Sequence, residues 1–356
     1  MKKILIQKSD IKSNSWKKIA EKENIGKLFP IKKSAVYMPF VLLQHILLQE
    51  KPYAIIVRYL NDYQSLAKTL IRLNTDITTV IIAKVFCVKL YWMCHNVDNE
   101  TVSYYPYITR LRRTVVKKAS EKIFVMDKML IEYAEKKLNI SRNKIYDISF
   151  GRTDYLEKIN ICNDKCVAVI DDINKWKNNK IKKRKGGVCC GMWIGNVEKK
   201  NIDGLYTIME IISKNKNVSY CNDKIVFVVI GPVGKKINNE LYTKLKYSDD
   251  IKLIDEFISI PPSMWNDIAD FIFKPNDDLS VNLTLYNAAL AEIPIISKKR
   301  TFVSKMIEYY NIGYSLCYEN IEIKNIVHKV KNWETYKSKK FIKEKNWIYG
   351  AKKIFE

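Results

Sequence analysis

Twice along its length the chain alternates short β-branched runs with helical stretches, which restricts it to α/β architectures built on mainly parallel sheets. Strand candidates in the first half are residues 3–7, 53–59, 85–92, 122–126 and 145–149, with helices such as 65–73 and 128–138 between them. The second half repeats the plan at 187–190, 225–230, 251–254, 271–273 and 293–297. Two Rossmann-like lobes follow, and 356 residues suit two domains of the usual size, about 100–200 residues each. Residues 1–165 are expected to form the first lobe and 186–335 the second. Residues 171–185 are polar, lack apolar periodicity and are basic at seven of the last eleven positions, so 166–185 reads as an exposed basic linker or loop. In 336–356, Phe341, Trp347, Ile348 and Ile354 suit terminal amphipathic helices.

At 47% hydrophobic residues the chain can bury a core in each lobe, which excludes a disordered protein. Sixty-two Lys and Arg against 38 Asp and Glu give a net charge of +24, an attraction to phosphate on nucleic acid, anionic membrane or a small molecule. Part of that excess reflects coding bias, because Lys far outnumbers Arg while Ile, Asn and Tyr are also abundant. The basic residues are dispersed and no nucleic-acid module is visible, so nucleic acid is not the expected partner. Eight cysteines form no CxxC pair and only three histidines accompany them, so neither a metal site nor a cofactor is expected. The opening MKKILIQKSD is too short an apolar run for a signal peptide, which points to the cytoplasm and free thiols. The apolar stretch 80–94 is interrupted by Lys84 and Lys89 and falls short of the roughly 20 residues of a membrane span.

In open α/β sheets ligands sit at the carboxyl ends of the strands, so the loops that follow strands carry the candidate residues. One strand delivers His95, Asn96, Asp98 and Glu100, an imidazole with carboxylates close behind that suits general base work. The same histidine also reads as a residue packed under the strand end. Asn61 and Asp62 follow the strand at 53–59 on what would be the acceptor side. In 187–205, Gly191 and Gly195 permit close backbone approach, while Lys199 and Lys200 suit an anion at the next helix start or a solvated pair. Gly231 ends an apolar strand, where a turn is reason enough for it. In 270–297, Ser280 is placed to cap a helix over 281–291 whose free N–H groups, with Asn282 and Thr284, suit a diphosphate. Asn287 lies further along, where a ribose would be met.

These residues resemble the two-lobed GT-B glycosyltransferases, in particular the nucleotide-sugar-dependent group that builds bacterial surface polysaccharides. His95, Asn96 and Glu100 resemble that group's acceptor-lobe motif, and 148–155 the strand and glycine that close the lobe. Residues 187–205 are similar to the opening of the donor lobe, 271–297 to the donor-binding strand-helix-strand, and 345–355 to the terminal helix that crosses back onto the first lobe. The group's paired glutamates would fall on Leu279 and Asn287, its arginine after the donor-lobe glycine on Met192, and its N-terminal glycine-rich loop on SDIKSNSW at 9–16.

The resemblance implies two lobes facing each other across a cleft and a metal-independent, hexosyltransferase-type transfer. A sugar would pass from a nucleotide diphosphate to a saccharide, free or linked to polyprenyl diphosphate. Helix N–H groups and lysines would stabilise the leaving diphosphate. His95 would be the base if the anomeric centre inverts, with Asp98 or Glu100 behind it, and would only position the sugar if configuration is retained. Tyr104, Tyr105 and Tyr107 precede a stretch in which Ile108, Leu111, Val115 and Ala119 share a helical face. Such a helix suits peripheral contact with the anionic inner face of the plasma membrane, or packing on its own sheet. A nucleic-acid binding protein and a catalytically silent GT-B scaffold are the rival readings.

Overall fold

A computed structural model describes residues 1–48, 50–100, 103–151, 164–182, 188–197, 202–216, 224–234, 237–275, 277–317 and 321–356. Contacts divide the chain into a first unit of residues 1–151, 279–281 and 345–356 and a second of 152–278 and 282–344.

The first unit begins with β1 (Lys3–Ile6), α1 (Ile11–Lys22), β2 (Lys27–Pro30), α2 (Met38–Leu48) and β3 (Ala54–Val57). It continues through α3 (Leu66–Val85), β4 (Lys89–Cys94), α4 (Pro106–Ala119), β5 (Lys122–Val125), α5 (Leu130–Leu138) and β6 (Ile145–Asp147). Its six strands are all parallel in the order β2-β1-β3-β4-β5-β6. Right-handed crossovers in that order put α2 to α5 on one face of the sheet and α1 on the other. Four consecutive buried residues in β3 mark it as a central strand covered on both faces.

The second unit holds α6 (Asp164–Lys182), β7 (Val188–Ile194), α7 (Ile202–Lys216), β8 (Lys224–Ile230), α8 (Asn239–Tyr247), β9 (Ile251–Ile254) and α9 (Trp265–Ile268). After these come β10 (Phe271–Phe273), α10 (Leu283–Leu290), β11 (Ile295–Lys298), α11 (Phe302–Tyr309), β12 (Gly313–Leu316), α12 (Ile323–Lys331) and α13 (Tyr336–Glu344). Its parallel order is β12-β11-β10-β7-β8-β9. Phe227 of β8 packs edge-on against Phe271 and Phe273 of β10, and Gly191 of β7 leaves the room those rings fill. That packing, rather than a ligand's approach, is the reason for a glycine at 191.

The last helix, α14 (Trp347–Phe355), belongs to the first unit and packs on α1. Trp347 meets Trp16 edge-on at 5.6 Å, and Trp16 donates through Nε1 to the Ser149 carbonyl at 3.2 Å. Lys345, just ahead of this helix, forms a buried ion pair with Asp127 at 2.9 Å. Residues 336–344 belong instead to the second unit.

The expected linker is overturned over its described part, because residues 166–182 lie in α6, which buries Cys166, Ile170 and Ile173 at helical spacing. The apolar stripe starts ahead of residue 171, and a window opened there misses it. Helix α4 also turns a different face inward from the one expected. It buries Thr109, Arg112 and Val116 and leaves Leu111 exposed. No helix among the described residues is long and apolar enough to cross a membrane.

Candidate functional site

In a doubly wound sheet the crevice opens where the strand order reverses. In the first unit that point lies between β1 and β3, because β2 adds on one side of β1 and every later strand on the other. The loop leaving β1 and the first turn of α1 supply Gln7, Asp10 and Lys12 on one side, and the loop leaving β3 supplies Arg58 and Tyr59 on the other.

Arg58 is buried and organises the cluster. Its Nη1 pairs with Asp10 Oδ1 at 3.0 Å, its Nη2 donates to the Tyr59 hydroxyl at 2.9 Å, and its Nε donates to His95 Nε2 at 3.2 Å. The Tyr59 hydroxyl in turn donates to Asp10 Oδ2 at 3.0 Å, and Gln7 Oε1 accepts the Arg58 amide at 2.6 Å. Asp10 also caps α1 by accepting from the Ser13 amide. Burial opposes ionisation of Asp10, but Arg58, with hydrogen bonds from Ser13 and Tyr59, prevails and holds its carboxyl below the usual range. Lys12 stands 4.2 Å over the Phe150 ring, and burial, with Arg58 adding to it, brings its ammonium down to about 8.

His95 stacks between Tyr59, at 4.8 Å and 10°, and Phe150, at 6.4 Å and 17°. Burial, then the charges of Lys12 and Arg58, push its pKa well below the ordinary value, so the ring is neutral near pH 7. Because Nε2 accepts from Arg58, the ring proton sits on Nδ1, and Nδ1 is buried with no partner among the described residues. This geometry counts against His95 as a base. Taking a proton would create a third cation beside Arg58 and Lys12, on a nitrogen whose lone pair is already committed. The ring is instead a hydrogen-bond donor without an acceptor.

Asp98 and Glu100 do not stand behind His95. Asp98 Oδ2 accepts the Leu279 amide at 3.3 Å, and Glu100 pairs with Arg113 at 2.9 Å while burial pushes its carboxyl up. Both line a separate cavity of about 570 Å³ with Arg110, Arg113, Lys117 and Lys137. The Asn96 amide oxygen accepts the Asp98 N–H at 3.1 Å, a turn within the loop. Asp62 is committed to structure, accepting the Tyr104 and Tyr105 amides and the Thr109 hydroxyl at the start of α4. The Asn61 carbonyl accepts from Arg112 at 2.9 Å. Asn61 and Asp62 nonetheless line a cavity of about 590 Å³ that opens beside Tyr59 and is rimmed by Lys8, Lys32 and Lys33.

In the second unit the strand order reverses between β7 and β10. Gly195 follows β7 with φ +127° and Gly231 follows β8 with φ +144°, conformations that favour glycine. A Cβ on Gly231 would run into the Gly195 carbonyl, whereas one on Gly195 would meet open space. Lys199 and Lys200 lie outside the described residues. Ser280 does not cap a helix. It pairs in an antiparallel bridge with Asn96 inside the first unit. Helix α10 starts two residues later than expected, at Leu283, because Asn282 takes the capping role and accepts the Thr284 amide at 3.0 Å. That amide and the Leu285 N–H, which donates to the Asn282 carbonyl at 3.4 Å, are therefore partnered. Asn287 is half-buried in the second turn of α10. Asp278, on the loop from β10, has a buried Oδ1 without a partner among the described residues.

The sequence reading missed Asp10, Lys12, Arg58, Tyr59 and Asp278. The available signals were an Asp capping box directly after β1, a lone Arg directly after the apolar AIIV of β3, and the acidic pair at 277–278. No group of three or more His, Cys, Asp or Glu among the described residues is placed to hold a metal ion.

No family model and no curated protein matches the chain. Its fold is similar to that of the UDP-GlcNAc 2-epimerase from Methanocaldococcus jannaschii, at 14% identity over 99% of this chain and 98% of that one, with a TM-score of 0.56. The Anabaena protein HepE in complex with UDP aligns at 11% identity over 100% and 94%, with a TM-score of 0.56. The UDP-forming α,α-trehalose-phosphate synthase from Burkholderia vietnamiensis aligns at 7% over 99% and 95%, with a TM-score of 0.62. The chain has the GT-B fold. Its two parallel six-stranded sheets are the two Rossmann-like lobes of GT-B, and the low identities mark a divergent sequence.

Proposed function

We propose that this GT-B protein is a glycosyltransferase that moves a sugar from a nucleotide diphosphate to a saccharide bearing phosphate, such as one linked to polyprenyl diphosphate. The observation that carries the reading is the cavity at the β1/β3 switch point, with polar groups at its wall and three lysines at its rim. It offers a place for a second substrate, distinct from a donor held in the other unit. Fold neighbours that bind UDP or UDP-sugars support a nucleotide-sugar donor.

In this reading the glycine turns after β7 and β8 receive the diphosphate, with Lys199 and Lys200 as further cations. Asp278 accepts a donor hydroxyl through its unpartnered oxygen, and Asn287 stands near the ribose. In the first unit, His95 Nδ1 offers a hydrogen bond to an oxygen of the acceptor saccharide, and Lys12 with Arg58 supplies positive charge for its phosphate. The histidine then orients and polarises, the role expected of it where configuration is retained.

Thermal-shift measurements with UDP, GDP and TDP, followed by nucleotide release from their sugars with and without saccharide acceptors, test the reading. Stabilisation by one nucleotide, and release that an acceptor accelerates, are expected. Interconversion of sugar epimers without nucleotide release would replace the reading with an epimerase. No shift and no turnover with any donor would leave a silent scaffold.

A further inference from the structure

Helices α3 and α4 are built inside out. Helix α3 buries Thr69, Arg72, Thr75, Asp76 and Thr79, with Ile82 and Ala83 near its end, while Leu66, Leu70, Ile71, Ile81 and Val85 are exposed. Helix α4 buries Thr109 and Arg112 and exposes Leu111 beside Tyr107, which is 84% accessible. A helix facing water on one side has the opposite arrangement. Part of this buried polar seam is paired, Arg112 Nε with Asp76 Oδ2 at 2.7 Å and Arg112 Nη1 with the Leu60 carbonyl at 2.8 Å, while Arg72 Nη1 and Arg112 Nη2 have no partner among the described residues. The exposed apolar stripe is not part of this unit's own core.

The stripe continues onto the neighbouring helix. Helix α2, MPFVLLQHILL, carries no Lys, Arg, Asp or Glu, and Phe40, Leu47 and Leu48 stand out from it at 68%, 68% and 77% accessibility. It packs on α3, and α3 packs on α4, on the same face of the sheet. Among the described residues, thirteen of the twenty-two exposed large hydrophobic side chains lie between residues 37 and 111. An apolar surface so concentrated marks an interaction site.

Charge selects the occupant. The three helices contain one carboxylate, Asp76, and it is buried. Lys68, Lys84, Arg110 and Lys118 are exposed on them, and none is in an ion pair among the described residues. A second copy meeting this surface through a two-fold axis would bring these cations against their own images. An anionic lipid surface accepts both parts of the pattern, apolar side chains in the acyl boundary and cations at the headgroups, with Tyr104 and Tyr107 at the level where aromatic residues gather.

We propose that the outer surface of α2, α3 and α4 docks the protein on an anionic bilayer, lying on the membrane without spanning it. The inference does not depend on the activity proposed above.

The test uses the full chain and extruded vesicles of phosphatidylcholine alone or mixed with phosphatidylglycerol, at physiological ionic strength. Cosedimentation with the anionic vesicles is expected. The triple variant Leu47→Ser, Leu48→Ser, Leu70→Ser, which keeps every charge, is expected to weaken it at least about tenfold. Lys244→Ser with Lys246→Ser, on the second unit, should leave it unchanged. Binding that survives the triple serine variant, or that falls as far with the unit-two lysines, would reduce the effect to net charge and overturn the proposal. Sedimentation equilibrium without lipid supplies the other arm. A monomer supports the proposal, and a dimer dissolved by the triple variant would assign the face to self-association instead.

Discussion

Lys12 and His95 hold uncommon states for one physical reason, the burial of several basic groups around Arg58. Lys12 titrates at about 8, below the 10.5 of a free lysine, so the unfolded chain holds that proton more tightly between those values. Its burial penalty is full below about pH 8 and fades as pH rises toward 10.5, and stability gains across that window. Denaturant titrations of wild type and Lys12→Met between pH 7.5 and 10 check this on the order of a pKa-unit scale, with the variant expected to lose the rise. If the cluster binds phosphate, affinity should fall above about pH 8 in wild type and persist in Lys12→Arg, whose charge does not titrate there. His95→Ala should lower kcat by about 100-fold, the scale of one preorganised donor, while nucleotide affinity stays unchanged. Because the ring is neutral near pH 7, the wild-type rate profile should show no inflection near pH 6.5. Such an inflection, lost in His95→Ala, would restore the base role. His95 was legible from sequence because it follows an apolar strand. Its partners were not, since Asp10 and Lys12 reach it from β1, and Arg58 from β3, only once the parallel order is known.

Paired glycine turns offer the clearest comparison among the elements. Gly231→Ala should cost about 1–3 kcal/mol in backbone strain and more for the collision with the Gly195 carbonyl, while Gly195→Ala bears the strain alone. Urea unfolding of both variants should rank Gly231→Ala as the less stable. Ten of the twelve strands among the described residues were legible as apolar runs, and the misses have causes. Strand β2 reads KLFP and β12 reads GYSL, an edge strand at one end of each sheet where side-chain demands relax. The strand expected at 85–92 began too early because the outward apolar stripe of α3 runs to Val85 and merges in sequence with β4. One feature thus blurred a boundary and hid the reversed polarity of a helix, since periodicity reveals an apolar face without saying where it points.

At the scale of the whole molecule, both sheets are six-stranded and parallel but differ in strand order, two strands preceding the switch point in the first and three in the second, and the chain ends by returning to its first unit. Trp347, buried against Trp16 and Phe150, should behave as a core residue of that unit. Trp347→Ala is expected to remove about 3–5 kcal/mol from its stability. Calorimetry should show an earlier transition for one unit with the other unmoved, and a uniform shift would mean that the two unfold together. The same return sets an order of events during synthesis. When residues 1–151 have left the ribosome, the first sheet is complete in strands but its α1 face still lacks the helix of Trp347. Nearly two hundred further residues, about ten to forty seconds of translation, separate that moment from the arrival of the cover. The nascent chain therefore displays Trp16 and its apolar neighbours throughout, so the second half, though made later, is free to fold first.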